Sequence, residues 1–142
     1  MKESDLIPRL LLDLKRDEGL MLKPYKDTVG KLTIGYGRNL DDVGITKEEA
    51  EYLLANDVQS HINDVVARWP WIVDRPIKVR LAFFNMAFNL GVNRLAGFKQ
   101  MIDAIYRDDY KAAANHALDS KWAQQVGRRA LRIAQLYEEA SL

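Results

Sequence analysis

Apolar residues recur along this chain at two different spacings, and the change between them marks out its parts. Near the start, Ile7, Leu10, Leu11 and Leu14 fall on one face of a helix. The pattern predicts a helix from about Ser4 to Arg16, with Pro8 in its first turn, where a missing N–H costs little. Gly19 is its natural stop. From Tyr25 to Gly37 the spacing becomes that of strand and turn. Gly30 marks a hairpin tip and Leu32-Thr33-Ile34 suits a short strand with alternating faces. Alternation puts Leu32 and Ile34 toward a core and Thr33 on the opposite side. Gly35 and Gly37 suggest a close backbone approach or a bulge.

Helical spacing then returns and does not leave. Thr46-Lys47-Glu48-Glu49 has the form of a capping box. Behind it Ala50, Leu53, Leu54, Val58, Ile62, Val65, Val66 and Trp69 predict one helix from Lys47 to Arg68, ended by Pro70. At 1.5 Å per residue it is about 30 Å long, enough to tie one lobe to another. Pro76 opens a very apolar helix ending near Leu90, before Gly91. Its Leu81, Phe84, Ala87 and Phe88 are read as core. Further helices are expected at about Phe98–Arg107, Asp109–Leu118 and Arg128–Glu139. The expected fold is α+β and mostly helical: a small lobe with a short antiparallel hairpin sheet, a long interlobe helix and a larger all-helical lobe, with a cleft between lobes. The 142 residues are read as one domain. Its small lobe covers about 18–46 and its linking helix about 47–69. The helical lobe covers about 70–142 and takes in the N-terminal helix.

Charge adds one refinement. Lys plus Arg total 21 against 20 Asp plus Glu, which argues against a nucleic-acid binder. The near balance hides an asymmetry: residues 1–70 carry 10 basic and 13 acidic side chains, residues 71–142 carry 11 and 7. A basic second half can face an anionic polymer. The absence of cysteine excludes disulfides and thiolate metal sites. With only His61 and His116, far apart in sequence, a histidine metal site is not expected either, and neither histidine is read as catalytic. No apolar run approaches the roughly 20 residues a membrane helix needs. The charged N-terminal stretch does not read as a signal peptide.

Three side chains stand out chemically. Glu18 lies near the C-terminal end of the first helix, just before Gly19. Asp27 and Thr33 lie in the hairpin. Two carboxylates and a hydroxyl on neighbouring elements are what glycosidic cleavage needs: an acid for the leaving oxygen and a carboxylate for the water or cation. Each alone has a plainer reading. A last-turn glutamate is usually solvated, an aspartate before a turn usually bonds locally, and threonine is ordinary in a strand. Trp69, Trp71 and Trp122 can stack on sugars, but large aromatics belong more often to cores. Core is expected for Trp122, with Trp71 left open. Arg128, Arg129 and Arg132 form a basic cluster that is either a solvated face or an anion contact.

Taken together, Glu18-Gly19, Tyr25-x-Asp27 and Thr33-Ile34-Gly35-x-Gly37 closely resemble the phage-type lysozymes, the endolysins typified by the enzyme of T-even bacteriophages. The resemblance continues through Gly44-Ile45-Thr46-Lys47-Glu48-Glu49-Ala50, Asn85-Met86-Ala87-Phe88-Asn89-Leu90-Gly91, Ala96-Gly97-Phe98 and Ser120-Lys121-Trp122, so it covers nearly the whole chain. It implies a glycoside hydrolase that cuts the β-1,4 bond between N-acetylmuramic acid and N-acetylglucosamine in bacterial peptidoglycan. Glu18 is then the proton donor, Asp27 the second carboxylate and Thr33 its water-holding partner. Phe88 and Asn89 line the cleft from the second lobe, and Arg129 stands near the catalytic glutamate.

The same resemblance implies a monomer without metal or cofactor. It implies peptidoglycan as the partner, with no nucleic acid and no membrane insertion. The enzyme would be made in the bacterial host cytoplasm and reach the wall after release. Two departures are specific. Arg38 stands where the T-even enzyme has histidine, and His116 where a saccharide-contacting asparagine is expected. The connection Asp41-Asp42-Val43-Gly44 is also short, which puts the outer sugar subsites in question. Two rivals are carried: a non-catalytic wall-binding or phage structural module on this fold, and a lytic transglycosylase.

Overall fold

A computed structural model describes residues 2–142. The chain divides into two compact units within its longest helix, the first ending at Tyr52 and the second running from Leu53 to Leu142. The expected α+β character is present: eight α-helices and a three-stranded antiparallel sheet among the described residues.

The first unit opens with α1, Glu3–Glu18, which runs two residues past the expected end and stops at Gly19. Gly19 takes φ 71°, and its N–H donates to the Lys15 carbonyl. Because the helix begins at Glu3, Pro8 lies in the second turn rather than the first. There it withholds an N–H that an interior position would normally use.

The sheet follows in order β1 (Met21–Lys26), β2 (Leu32–Gly35) and β3 (Arg38–Asn39). Tyr25 faces Thr33 and Thr33 faces Asn39 across the ladders, so Thr33 sits in the middle strand between two neighbours. This overturns the expected sidedness. Thr33 is the buried residue, 4 % exposed, and Leu32 is 37 % exposed, because the flanking strands cover the middle of β2 and leave its end open. The register of β1 shifts between Met21 and Tyr25. That stretch contains Pro24, which has no N–H for a ladder.

The second segment of helix begins with a reciprocal cap. Thr46 N–H donates to Glu49 Oε1 at 2.9 Å, and Glu49 N–H donates to Thr46 Oγ1 at 3.1 Å. It opens α2, Lys47–Arg68, which runs from one unit into the next and ends before Pro70. A 3₁₀ turn, Pro70–Asp74, leads to α3 (Ile77–Leu90), α4 (Val92–Leu95), α5 (Lys99–Tyr106), α6 (Tyr110–Leu118), α7 (Lys121–Val126) and α8 (Arg128–Ala140).

The hydrophobic core lies in this second unit. Helix α3 contributes Val79, Ala82, Phe83, Met86, Ala87 and Leu90, and α8 contributes Ala130, Ile133, Ala134 and Tyr137. The alanines of α6, Ala113, Ala114 and Ala117, let its backbone approach α8 closely. The buried face of α3 is the expected one only in part: Ala87 is enclosed and Phe84 packs on the core, but Leu81 and Phe88 turn outward. Leu81 is 54 % exposed and Phe88 37 %, while Phe83 is fully enclosed. A helix apolar on almost every side gives periodicity little to choose from. No helix among the described residues is long and apolar enough to cross a membrane.

Candidate active site

Glu18 is the last residue of α1, exposed, and its carboxyl lies against the turn that joins β2 to β3. A Cβ built on Gly37 would stand 2.9 Å from Glu18 Oε2 and 3.3 Å from its Cδ. Gly37 also takes φ +82°. Glycine suits the positive φ here and leaves room for the glutamate tip. One turn earlier on α1, the Lys15 ammonium lies 5.8 Å over the Tyr36 ring. The last turn of α1 thus lies beside the Tyr36-Gly37 turn at two points.

Asp27 closes β1 and organises the hairpin turn. Its Oδ1 accepts from Val29 N–H at 3.0 Å and from Lys31 N–H at 2.8 Å. Its backbone N–H donates to the Lys31 carbonyl at 2.9 Å, and its carbonyl accepts from Gly30 N–H at 3.0 Å. The local role expected of an aspartate before a turn is therefore real. It occupies one oxygen; among the described residues no hydrogen bond reaches Oδ2. Thr33 Oγ1 donates to the Lys31 carbonyl at 2.9 Å, so its hydrogen is committed and its lone pairs remain acceptors.

Arg38 is explained by a neighbour the sequence reading did not name for it. Its two terminal nitrogens donate to Glu49 Oε1 and Oε2, each at 2.8 Å, and Nη1 also donates to the Gly44 carbonyl at 3.1 Å. This fork joins β3 to the first turn of α2 across the short 41–45 connection. The guanidinium and the Thr46 amide hold the Glu49 carboxyl well below the usual range, at about 2.

The remaining predicted residues lie in the second unit. Phe88 and Arg129 line one hollow of about 290 Å³ with Leu54, Val58 and His61. The Phe88 and His61 rings meet at 5.1 Å. Arg129 Nε donates to Asn85 Oδ1 at 2.9 Å, and Nη2 to the Asn85 carbonyl at 3.3 Å. Asn89, one turn on, accepts from the Trp122 indole N–H at 2.8 Å. Asn85 and Asn89 are thus both acceptors for side chains from the last two helices. Their one-turn spacing in the otherwise apolar stretch 81–90 of α3 was the signal for Asn85, to which sequence reasoning gave no role. Trp122 is core, as expected, and so is Trp69; Trp71 is half-buried. His116 and Trp122 line a larger hollow of about 480 Å³ with Phe98, Lys99 and Ser120. Among the described residues no group of three or more histidines and carboxylates is placed to hold a metal ion.

The sequence matches the phage lysozyme family over residues 15–136. The chain belongs to that family. Among its relatives, the pre-baseplate central spike protein Gp5 of Enterobacteria phage T4 is 32 % identical across 87 % of this chain. The chain spans only 26 % of that protein's length. A probable T4-type lysozyme of Dictyostelium discoideum is 28 % identical, covering 91 % of this chain and 93 % of its own length. An endolysin of Acyrthosiphon pisum secondary endosymbiont phage 1 is 30 % identical over 84 % of this chain and 82 % of its own. Phage lysozyme membership makes the chain a lysozyme-type lytic protein.

Proposed function

We propose that this chain is an endolysin-type muramidase that hydrolyses the β-1,4 bond between N-acetylmuramic acid and N-acetylglucosamine in peptidoglycan, working as a single catalytic domain. The observation that carries the reading is the seating of the Glu18 carboxyl on Gly37, where one added carbon would come within 2.9 Å of its oxygen.

In this reading Glu18 gives its proton to the glycosidic oxygen as the C1–O bond breaks. Water adds to C1 and passes a proton to Asp27 through Oδ2, the oxygen the turn does not use. With its hydrogen directed to the Lys31 carbonyl, Thr33 meets that water as an acceptor. Its Oγ1 accepts the water's second hydrogen, which turns a lone pair toward C1. Exchange with solvent then returns a proton to Glu18 and removes one from Asp27. Attack by a held water on the face opposite the leaving group inverts the anomeric centre. Phe88, Asn89 and Arg129 are read as substrate contacts from the helical unit. The protein would be made in the host cytoplasm and meet its substrate once released to the wall.

Glu18→Gln keeps the size of the side chain and removes the transferable proton. Rates on soluble peptidoglycan fragments should fall by ~10² to 10⁴. Mass spectrometry of the wild-type products should find hydrolysed reducing ends. Anhydro ends would assign a lytic transglycosylase instead. A folded Glu18→Gln protein that cuts at the wild-type rate would remove Glu18 from the mechanism.

A second reading has its own support in the T4 relative, a central spike protein of which this chain matches about a quarter. A chain of this kind can serve as a module of a phage structural assembly. Absence of any cleavage by the wild-type protein would favour that reading.

A further inference from the structure

Trp71 is half-buried at the edge of the core and has no part in the proposed mechanism. It lies on the 3₁₀ turn before α3, and its ring meets Tyr106, the last residue of α5, edge to face at 5.3 Å. Between them and the end of α2 is an open hollow of about 390 Å³, also lined by Arg68, Lys99 and Ile102. We propose that this hollow, walled by Trp71 and Tyr106, is a second binding site for the glycan strands of peptidoglycan. The proposal rests on the muramidase reading for the identity of the polymer.

The two rings are held in place by a dedicated residue. Arg75 stacks on both, 5.0 Å from the Trp71 centroid and 5.8 Å from that of Tyr106. Its donors reach the backbone carbonyls of Trp71 at 3.4 Å, Ile105 at 3.2 Å and Tyr106 at 2.9 Å. It also pairs with the Asp108 carboxylate at 3.1 Å. One guanidinium therefore ties the segment carrying Trp71 to the segment carrying Tyr106. Rings fixed in advance lose little freedom when a ligand arrives. The Tyr106 side is left in solvent, with the residue 57 % exposed.

The rest of the hollow suits a sugar polymer bearing acids. A pyranose offers a C–H face for an aromatic wall and hydroxyl and acetamide groups for hydrogen bonding at the rim. Arg68 and Lys99 supply donors there, and among the described residues neither forms an ion pair. The nearby Asp103 is matched by Arg107 at 2.9 Å. The rim therefore carries uncompensated positive charge. Lactyl and stem-peptide carboxylates on the wall provide the complement, which an uncharged glycan would lack.

The test separates capture from catalysis. In a Glu18→Gln background, binding to purified sacculi is measured by co-sedimentation, and thermal melts are recorded for every variant. Tyr106→Ala and Lys99→Glu should each weaken binding roughly three- to tenfold. Trp71→Phe, which keeps a ring, should bind like its parent. In the wild-type background Tyr106→Ala and Lys99→Glu should slow clearing of sacculi and leave the rate on short soluble fragments unchanged. Unaltered sacculus binding by folded Tyr106→Ala and Lys99→Glu would overturn the site, as would a Glu18→Gln parent that does not sediment with sacculi. Lys99→Glu changes an exposed side chain, so it reports even if the aromatic variants lose stability. Failure of the muramidase reading appears elsewhere, as no hydrolysis of soluble fragments by the wild-type protein.

Discussion

Replacing Gly37 by alanine should impair catalysis through geometry, and the chain contains its own control. Two penalties apply at Gly37. The first is conformational: φ is +82°, and an L-residue held in left-handed backbone costs roughly 1–2 kcal/mol. The second is steric: the new Cβ would stand 2.9 Å from Glu18 Oε2, about 0.5 Å short of an ordinary 3.4 Å contact. The glutamate tip is flexible and can move away, so the clash adds little to the loss of stability. It adds much to the loss of rate. A misplacement of about 1 Å at a catalytic group can cost ~10²-fold, so about half that displacement should cost roughly tenfold. That is about 1.4 kcal/mol of transition-state stabilisation.

Gly35 supplies the comparison. It has φ +71°, and a Cβ added there would meet nothing within 4 Å, so Gly35→Ala carries the conformational penalty alone. Both variants should melt about 3–7 °C below the wild type, as ~1–2 kcal/mol implies for a domain of this size. Only Gly37→Ala should also lose turnover on soluble fragments, assayed well below either melting temperature. Equal activities in the two variants would refute the reasoning: either the Glu18 carboxyl is not held by this turn, or its position does not matter to the reaction.

Four further outcomes follow from other parts of the structure. Asp27→Asn preserves an acceptor for Val29 and Lys31 but removes the charge, so it should fold like the wild type and lose activity by ~10² or more; full activity would leave Asp27 with its turn role only. Glu49 has its pKa lowered to about 2 from 4.5, so the Arg38 fork contributes fully above about pH 4.5 and is lost as the pH falls through about 2. Melting temperature should therefore fall across that window, and less so in Glu49→Gln; parallel falls in both proteins would show that the fork adds nothing. Tyr137 is fully buried, its phenol pushed up by burial, and among the described residues its hydroxyl meets only the Met86 sulfur at 3.5 Å, so Tyr137→Phe should melt within a few degrees of the wild type or above it. Phe83→Ala, which empties a fully enclosed core position on α3, should cost ~3–5 kcal/mol by denaturant titration.

What could be read from the sequence, and what could not, divides along the range of the forces involved. Helix α2 was legible to the residue because its ends are decided locally, by Thr46 bonding Glu49 and by Pro70. Strand β3 was missed because Arg38 and Asn39 are strand only through their ladder to β2. Helix α7 did carry a signal, the Ser120 hydroxyl that caps Ala123 N–H at 3.1 Å, but it is too short for periodicity to declare. Leu81 and Phe88 of α3 were misjudged because which apolar residues turn inward depends on α8, an element distant in sequence. The candidate site repeats this division. Glu18, Asp27 and Thr33 each had an ordinary explanation, and only their joint spacing singled them out. Their individual environments then proved double: Asp27 both builds a turn and keeps an oxygen free, and Thr33 is buried yet keeps its acceptors. Two glycines flanking Tyr36 hinted at close approach, but only one of them is crowded, and only the folded chain says by what. A sequence motif can therefore nominate a candidate acid, but the room beside its carboxyl is left by a residue whose one qualification is having no side chain.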